Sequence, residues 1–472
     1  MRTKLAQLGF HGARELAASD TVAGMADVTR WPAHRLAAAL RRGEVSSREA
    51  LEQYLARVES ANLGLNAVVT LDVDGARRAA DAADAARARG ELTGALHGVP
   101  MTVKDTFCTA GLRTTCGDPE WDHVPERDAE AVRRLRGAGA VIFGKTNTAR
   151  RAADWQTVNP LFGATNHPRD RARSPGGSSG GAAAALAAGM TALELGSDVA
   201  GSIRLPAGWC GVCGHKPSWG IVPQRGHLPP PPGTLGRRDL NVVGPMARAV
   251  ADLDLALGVL AGPAQPDAVG WRLELPPPRA AAPAEFRLAA WLDDPQYPVE
   301  PEVRAVTEAA ITALMRAGVR IVDRHPDLPL AEAVGLHQIL LYPLMDPDAD
   351  LTVRQWLAAD ERRQRVRARL DAFFAEVDAL LTPVAVTAAI RHDHSEPFSE
   401  RMLPSARGDR PYLDLFGWLS LASVAYLPAT VVPVGQTPDG LPVGLQIIGN
   451  YLHDRTTLAV ARAVEEVLGT GS

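Results

Sequence analysis

The chain has 472 residues, of which 46% are hydrophobic and 22% are charged, and its formal net charge is −4. This composition is close to the average of globular proteins, and it excludes a disordered, a collagen-like or a disulfide-scaffold chain. The near balance of 50 basic and 54 acidic residues gives no electrostatic reason to expect nucleic acid or an anionic membrane as a partner.

The cysteine content and the apolar stretches predict a cytoplasmic protein. Four cysteines in 472 residues are typical of a reducing compartment. The N-terminal residues MRTKLAQLGFHGAREL lack the apolar run of a secretory signal. The longest apolar stretch, 182–195, is too short to cross a bilayer and contains Glu194.

The first part of the chain predicts helices. Leu36 and Leu40 have helical spacing, and Gly43 ends that run. Ser46 followed by Glu49 is the sequence signature of a helix N-terminus, in which the serine caps the helix and the glutamate bonds back to it.

Short strands and helices alternate up to the middle of the chain. The segments 66–71, 98–105 and 141–145 are predicted strands, and 75–90 is a predicted helix. Proline clusters mark an exposed loop at 229–232 and, at 276–283, part of a linker.

The C-terminal half begins with a predicted β-α-β unit, with strands at 286–291 and 319–322 and a helix at 303–317. The segment 334–420 is predicted to be mostly helical and polar. Two buried strands and a closing helix follow, at 429–434, 443–448 and 456–468. The alternation predicts a large α/β sandwich whose sheet is covered by helices on both faces. We expect a single domain over 1–472, with N-terminal helices (1–70), a catalytic core (75–260), a linker (262–284) and a C-terminal half (285–472).

A Gly/Ser-rich segment, 174–181 (SPGGSSGG), runs directly into an Ala-rich helix. An isolated segment of this composition is usually a flexible linker. Its position predicts instead that backbone N–H groups converge at a helix N-terminus, where anions and oxyanions bind. A phosphate-binding P-loop is excluded, because no Gly-Lys-Ser/Thr follows the glycines.

A second candidate segment is 196–204 (GSDVAGSIR), in which Ser202 follows Ser178 by 24 residues. Small residues before Ser202 allow a sharp turn, so that successive N–H groups can point at one spot and form an oxyanion hole. Each such donor typically contributes about 3–4 kcal/mol to transition-state stabilisation. By itself, the segment is also compatible with an ordinary turn.

Lys104 ends a predicted apolar strand. Most lysines in that position keep the ammonium group in solvent. A buried lysine instead has a lowered pKa, and its neutral amine can accept a proton. Serine and lysine together form nucleophilic systems in several unrelated enzymes.

In their order and spacing, these segments resemble the amidase signature family of serine amidohydrolases. The matching motifs are 98–105 (GVPMTVKD), 144–147 (GKTN), 174–181 (SPGGSSGG), 196–206 (GSDVAGSIRLP), 210–217 (CGVCGHKP) and 441–448 (LPVGLQII). The resemblance runs from about residue 30 to the C-terminus, and 154–157 (DWQT) further resembles a subgroup of stand-alone bacterial amidases. It implies an α/β/α sandwich with a large mixed central sheet.

The resemblance also implies a catalytic triad. Ser202 would be the nucleophile, Ser178, which follows a cis peptide bond in the family, would relay its proton, and Lys104 would be the general base. The oxyanion hole would consist of the backbone N–H groups of Val199, Ala200, Gly201 and Ser202. The supporting hydrogen bonds would come from Ser179, Asp198 and Arg204.

The sequence departs from the family in two places. Ala200 stands where glycine is usual, and its methyl group would narrow the oxyanion pocket or change the backbone angle. Arg150 and Arg151 follow the GKTN motif where a less basic, Pro-containing stretch is usual; they would contact an acidic substrate or lie in solvent. Neither change removes a member of the triad, but both bear on the substrate.

Three alternatives to amide hydrolysis at Ser202 remain open. Residues 176–180 formally match the G-x-S-x-G elbow of α/β-hydrolases, which would make Ser178 the nucleophile, although the preceding segment 170–175 is polar. An amine instead of water as acceptor would make the protein an amide-forming or amide-exchanging acyltransferase with the same triad. A role within a complex, like that of the glutaminase-like subunit of a tRNA-dependent amidotransferase, is the third alternative; the segment 334–420 resembles stand-alone amidases more closely.

No cofactor or metal is expected. Cys210 and Cys213 form a single pair, whereas a structural zinc site needs two more ligands. The expected partner is a small-molecule amide, without nucleic acid or membrane, and a homodimer is compatible with the family. The sequence therefore predicts a cytoplasmic amidase that cleaves an amide C–N bond through an acyl-Ser202 intermediate.

Overall fold

The computed structural model describes residues 26–280, 282–346 and 349–470, so the predictions for 1–25 lie outside the described residues. The helices are α1 (Ala33–Arg42), α2 (Ser47–Leu65), α3 (Val73–Ala88), α4 (Glu130–Gly137), α5 (Gly180–Ala187), α6 (Arg204–Cys210), α7 (Val250–Leu260), α8 (Pro301–Arg316), α9 (Leu330–Met345), α10 (Val353–Phe374), α11 (Phe416–Val424) and α12 (Asp454–Leu468). The strands are β1 (Val68–Leu71), β2 (Pro100–Lys104), β3 (Val141–Thr146), β4 (Leu193–Asp198), β5 (Cys213–Lys216), β6 (Val242–Ala247), β7 (Arg287–Ala290), β8 (Arg320–Asp323), β9 (Ala379–Pro383), β10 (Met402–Leu403), β11 (Arg410–Pro411), β12 (Ala429–Gln436) and β13 (Pro442–Ile448). No described helix combines the length and the apolar character that crossing a membrane requires.

The central sheet has eight strands in the order β4-β6-β5-β12-β13-β9-β7-β8. Neighbouring strands are antiparallel from β4 to β9, and β9, β7 and β8 are parallel to one another. The sheet is therefore mixed, as predicted. The predicted β-α-β unit is confirmed as the parallel pair β7 and β8 with α8 between them in the chain.

Helices cover both faces of this sheet. Thr430 of β12 donates a hydrogen bond to Thr457 of α12, 3.0 Å away. The next residue, Val431, points to the opposite face, because successive side chains alternate along a strand. On that face Gly444 of β13 lies so close to Gly208 of α6 that a Cβ on Gly444 would be 2.7 Å from the Gly208 Cα. The α/β/α sandwich is thereby confirmed.

A separate three-stranded sheet, in the order β1-β3-β2, positions Lys104. Its strands were predicted, but their separation from the central sheet was not. Strand β2 lies beside β4: the Thr102 N–H donates to Thr191 Oγ1 at 3.0 Å, and the Thr102 hydroxyl donates to Glu194. This contact brings Lys104, the last residue of β2, within 3.0 Å of Ser197 on β4.

The segment 334–420 differs in part from its prediction. Helices α9 and α10 are confirmed, but the segment also contains strand β9, which pairs with β13 and β7 inside the sheet. The five residues of β9 are a short apolar run, and periodicity alone does not separate such a strand from a buried helix. Helix α11 begins within the segment and is buried along its whole length, although a polar segment was expected.

The predicted start of α2 gives a stability test. The Ser46 Oγ accepts a hydrogen bond from the Glu49 N–H at 3.0 Å, and the Glu49 carboxylate accepts one from the Ser46 N–H at 2.8 Å. We expect Ser46→Ala to lower the free energy of unfolding, measured in urea, by about 1 kcal/mol, because the Glu49 N–H loses its side-chain acceptor. Ser60→Ala, at an exposed position of the same helix, should change it by less than about 0.5 kcal/mol. Equal losses in the two variants would contradict the capping role.

Candidate active site

Lys104 and Ser178 are in direct contact. The Lys104 Nζ lies 2.7 Å from the Ser178 Oγ and 3.0 Å from the Ser197 Oγ. The side chain of Lys104 has no exposure to solvent, and the strand β2 that carries it is buried along its length. The lysine predicted to be a base is therefore buried beside one of the two predicted serines.

The surroundings of Lys104 bring the pKa of its amine close to neutral pH. Burial lowers the Lys104 pKa to about 7, although the negative charge of Asp198 opposes this shift. Glu194 adds little negative charge at neutral pH, because burial raises its pKa to about 8. The buried Cys116 thiol also stays neutral, because burial raises its pKa. The amine can thus gain and lose a proton near neutral pH.

The loop before Ser178 is held by Thr157. The Thr157 hydroxyl donates to the Gly176 carbonyl at 2.9 Å and accepts from the Gly180 N–H at 3.0 Å. The Gly177–Ser178 peptide bond is cis, as the resemblance implies. Helix α5 begins directly after this loop, which confirms the predicted loop-helix junction. Residues 174–179 form no strand, so Ser178 lacks the preceding strand that an α/β-hydrolase elbow requires.

Ser202 lies in the tight turn between β4 and α6. The Ser179 N–H donates to the Ser202 carbonyl at 3.2 Å, which joins this turn to the Ser178 loop. Gly201 has φ +98°, and a Cβ there would lie 2.3 Å from the Leu419 Cδ1. Gly201 has the left-handed backbone conformation and Ala200 does not, so the turn accommodates alanine at position 200.

Asp198 organises the turn. Its carboxylate accepts from the N–H groups of Gly201 (2.8 Å) and Ile203 (3.1 Å) and forms an ion pair with Arg204 (2.9 Å). Burial by itself would raise the Asp198 pKa, but the charge and hydrogen bonds of Arg204 lower it to about 2. The remaining Arg204 donors bind the Leu419 carbonyl, the Gln446 side chain and the Ser423 hydroxyl.

The backbone N–H groups predicted for the oxyanion hole are not equivalent. The Gly201 N–H donates to the Asp198 carboxylate at 2.8 Å. The N–H groups of Val199, Ala200 and Ser202 have no hydrogen-bond acceptor within 26–280, 282–346 and 349–470. Of the four N–H groups predicted for the oxyanion hole, one therefore has an acceptor within the protein, and the oxyanion hole itself stays a prediction.

Ser178 and Ser202 line one cavity of about 650 Å³. Its wall is mainly apolar and comes from several separate segments of the chain between Arg151 and Phe416. The apolar lining residues include Trp155, Val199, Ala200, Leu341, Leu344, Met345, Phe398, Leu413 and Phe416. Two charged residues of the wall are paired: Arg151 with Asp118, and Asp154 with Arg401.

Arg150 and Arg151 act within the protein. Both guanidinium groups bind the buried carboxylate of Asp118, at 3.0 and 2.5 Å. Arg151 also pairs with Glu120 and lies over the ring of Trp121, 4.8 Å from its centroid. Arg150 remains exposed and Arg151 lines the cavity, so the expected roles, lying in solvent or contact with an acidic substrate, stay predictions beside these ion pairs.

Three residues of the site were not predicted as functional. Ser197 binds Lys104, and the Trp155 Nε1 donates to the Ala200 carbonyl at 2.7 Å. Both residues lie in motifs that the sequence analysis recognised, but nothing in those motifs indicated a role for either side chain. His227 lines the cavity and is buried, which lowers its pKa well below the usual range, and no sequence motif marked it.

Among the described side chains, no cluster of three or more His, Cys, Asp or Glu residues is placed to hold a metal ion. Cys210 and Cys213 are buried free thiols. The site just described consists of hydroxyl, amine and backbone N–H groups, which are suited to proton transfer and to binding an oxyanion.

Known proteins resemble this chain over nearly its whole length. The model of the family described as Amidase matches residues 49–342 and 329–458. The glutamyl-tRNA(Gln) amidotransferase of Synechococcus sp. (strain CC9605) has a subunit that is 34% identical over 480 residues, which cover 90% of this chain and 94% of that protein. Among solved structures, a bacterial aryl acylamidase of the amidase signature family is 25% identical with a TM-score of 0.79, covering 93% of this chain and 96% of that chain. A protein described as an amidase is 30% identical with a TM-score of 0.77, covering 93% and 100%.

The ion pair of Asp198 gives the second stability test. Asp198→Asn leaves the guanidinium of Arg204 buried without a carboxylate, so we expect the free energy of unfolding in urea to fall by about 3–5 kcal/mol. The matched control is Asp254→Asn, which removes a half-exposed pair with Arg462 at 3.6 Å and should lower it by less than about 1 kcal/mol. A loss at Asp198 no larger than the loss at Asp254 would show that the buried pair does not hold the turn.

Proposed function

The chain belongs to the amidase signature family, and we propose that it hydrolyses a carboxylic amide through an acyl-Ser202 intermediate. The observation that carries this proposal is the contact of 2.7 Å between the Lys104 Nζ and the Ser178 Oγ. It supports the proposal because the lysine is buried and its pKa lies at about 7, so that a neutral amine is available as a base.

In the proposed acylation, neutral Lys104 takes the proton of the Ser178 hydroxyl while Ser178 takes the proton of Ser202. The Ser202 Oγ then attacks the carbonyl carbon of the amide, and the carbonyl oxygen becomes an oxyanion. When this tetrahedral intermediate collapses, the Lys104 proton returns through Ser178 to the leaving nitrogen. The C–N bond breaks, the amine departs, and the acyl group remains on Ser202 as an ester.

In deacylation a water molecule follows the same route. Ser178 and Lys104 accept its proton, and its oxygen attacks the ester carbon. The proton then returns to the Ser202 Oγ as the carboxylic acid leaves. In both halves the developing oxyanion would be stabilised by the N–H groups of Val199, Ala200 and Ser202.

The cavity favours an amide with an apolar acyl group. Its wall is mainly apolar, the charges of Arg151 and Asp154 are neutralised by ion pairs, and Arg238 donates to the Leu344 carbonyl. A substrate with several charges would lose its hydration against a wall that is mainly apolar. An uncharged, ring-sized acyl group would instead be buried against Trp155 and Phe416.

Transfer of the acyl group to an amine is the second candidate function. The observation that favours it is the 34% identity to one component of an amidotransferase over 90% of this chain. Hydrolysis and transfer share every step up to acyl-Ser202. The two functions differ only in the molecule that accepts the acyl group.

Covalent labelling tests the nucleophile. Intact mass spectrometry after treatment with a fluorophosphonate should show one adduct that maps to Ser202 and is absent from Ser202→Ala. Ser178→Ala should label at least about 100-fold more slowly, because the proton relay is broken. The exposed Ser60→Ala should label like the unmodified protein. An adduct on Ser178 that persists in Ser202→Ala would overturn the triad.

The same intermediate identifies the acceptor. With a slow ester substrate, an acyl adduct that decays in buffer alone indicates hydrolysis. An adduct that persists until an amine is added indicates acyl transfer and would contradict hydrolysis as the main activity.

The pH dependence tests the base. We expect kcat/KM for an uncharged amide to rise about tenfold per pH unit below the Lys104 pKa and to level off above it, because only the neutral amine accepts the proton. The midpoint should lie near the Lys104 pKa of about 7. An activity maximum at acidic pH would contradict a neutral-lysine base.

A variant is needed to assign this midpoint, because burial also lowers the pKa of Lys216 to about 7. In Lys104→Ala the pH midpoint should disappear, and added methylamine should restore part of the activity. If the midpoint persists in Lys104→Ala, the titrating group is not Lys104.

A further inference from the structure

We propose that Trp155 is a positioning residue of the oxyanion hole, because its indole N–H holds the peptide group between Ala200 and Gly201. The inference rests on the proposed function in one respect, the use of Ser202 as nucleophile with the neighbouring N–H groups as oxyanion donors. It assigns to Trp155 a role in transition-state binding that packing alone would not give.

The Ala200–Gly201 peptide group is held at both edges. Its carbonyl accepts from the Trp155 Nε1 at 2.7 Å, and its N–H donates to the Asp198 carboxylate at 2.8 Å. Because a peptide group is planar, one hydrogen bond on each edge fixes the direction of the plane. The donors of Ala200 and Ser202 belong to the two peptide groups that flank this plane, so their directions depend on it.

The Trp155 side chain is itself held in place. It is only 5% exposed, and its ring packs edge-on against Phe416, with centroids 4.7 Å apart, and against Tyr412, with centroids 5.6 Å apart. The preceding residue, Asp154, accepts a hydrogen bond from the Tyr412 hydroxyl at 2.8 Å and pairs with Arg401 at 2.7 Å. The indole N–H is therefore a donor whose direction is set by packing, as a preorganised site requires.

The same indole lines the substrate cavity. A substrate that fills the cavity packs against the ring whose N–H orients the oxyanion turn. Ground-state binding uses the face of the ring, whereas transition-state binding uses the N–H. A substitution that removes only the N–H should therefore change kcat and leave KM nearly unchanged.

Two substitutions separate positioning from packing. Trp155→Phe keeps an aromatic ring and removes the donor. Trp155→His fills less space but keeps a ring N–H, at Nε2, in the position that corresponds to the indole Nε1. If Trp155 acts only by packing, Trp155→Phe should be more active than Trp155→His. If Trp155 positions the peptide group through its N–H, Trp155→His should be more active than Trp155→Phe.

Trp291→Phe is the matched control. Trp291 is 6% exposed, and its Nε1 also donates to a main-chain carbonyl, that of Asp293, at 2.9 Å. It does not line the cavity of Ser178 and Ser202. Its replacement removes the same chemical group from an equally buried site, so any general loss of stability should be similar.

The experiment measures kcat, KM and the inhibition constant of phenylboronic acid, whose adduct on Ser202 places an oxygen in the oxyanion hole. For Trp155→Phe we expect kcat to fall and the inhibition constant to rise, each about tenfold, less than the 10²–10³ typical of removing a donor outright, with KM within about twofold. Trp155→His should recover part of both effects, and Trp291→Phe should leave both unchanged. Unchanged values in Trp155→Phe, or higher activity in Trp155→Phe than in Trp155→His, would overturn the inference.

Failure of the inference is distinguishable from failure of the proposed function. If the function is wrong, the unmodified protein carries no fluorophosphonate adduct on Ser202. If only the inference is wrong, the unmodified protein is labelled at Ser202, and Trp155→Phe and the unmodified protein bind phenylboronic acid equally tightly. If Trp155→Phe does not fold, Trp155→Leu, which also removes the donor, takes its place, and the inference then requires a higher inhibition constant in Trp155→Leu than in Trp155→His.

Discussion

The buried ion pair of Asp198 and Arg204 connects the parts of the molecule that must meet at Ser202. Asp198 ends β4 and binds the N–H groups of the following turn, while Arg204 begins α6 and reaches α11 and β13. An isolated carboxylate or guanidinium at this depth would be strongly destabilising, and only the pair with its full set of hydrogen bonds makes the burial tolerable. The shape of the turn therefore depends on both charges at once.

Burial has the opposite consequence for Lys104. No carboxylate is paired with its amine at hydrogen-bond distance among the described residues, and its two neighbours are the hydroxyl groups of Ser178 and Ser197. The negative charge of Asp198 compensates the desolvation only in part, and the pKa falls to about 7. Within one site, a paired guanidinium keeps Asp198 charged, whereas the lack of a paired carboxylate allows Lys104 to lose its proton near neutral pH. The fold achieves this difference by placing β2 in a small sheet beside β4.

Local signals made much of the fold predictable. The cap at Ser46, the β-α-β unit of β7 and β8, and the helix after the Gly/Ser loop each follow from a few adjacent residues. Strand β9 was missed because its five residues, ALLTP, are too short a run to show a distinguishing period. The separation of the small sheet was also missed, since it depends on contacts between distant strands.

The candidate site shows the same limit. Motif spacing was enough to choose Lys104, Ser178 and Ser202; in the structure Ser178 contacts Lys104 and lines one cavity together with Ser202. The direction of a backbone N–H could not be predicted from motif spacing, because it depends on the dihedral angles of the turn and on the acceptor that the N–H binds. Gly201 was accordingly included among the oxyanion donors, although its N–H faces Asp198. The tryptophan that binds the adjacent carbonyl lies 45 residues away in the chain, beyond the reach of local pattern.

The candidate catalytic residues and the residues that shape the cavity come from different parts of the fold. The lysine, the two serines and the turn come from the core between β2 and α6, whose geometry is fixed by buried hydrogen bonds. Much of the cavity wall comes instead from α9, α11 and the irregular chain around Phe398 and Leu413, which contribute apolar surface. Under the proposed function, changes in that wall would alter which acyl group or acceptor fits without disturbing the proton relay. Trp155 belongs to both parts, because its ring forms part of the wall and its N–H binds the turn. A change of substrate that repacks this ring would therefore also move the proposed oxyanion donors, so that specificity and rate would be coupled at this residue.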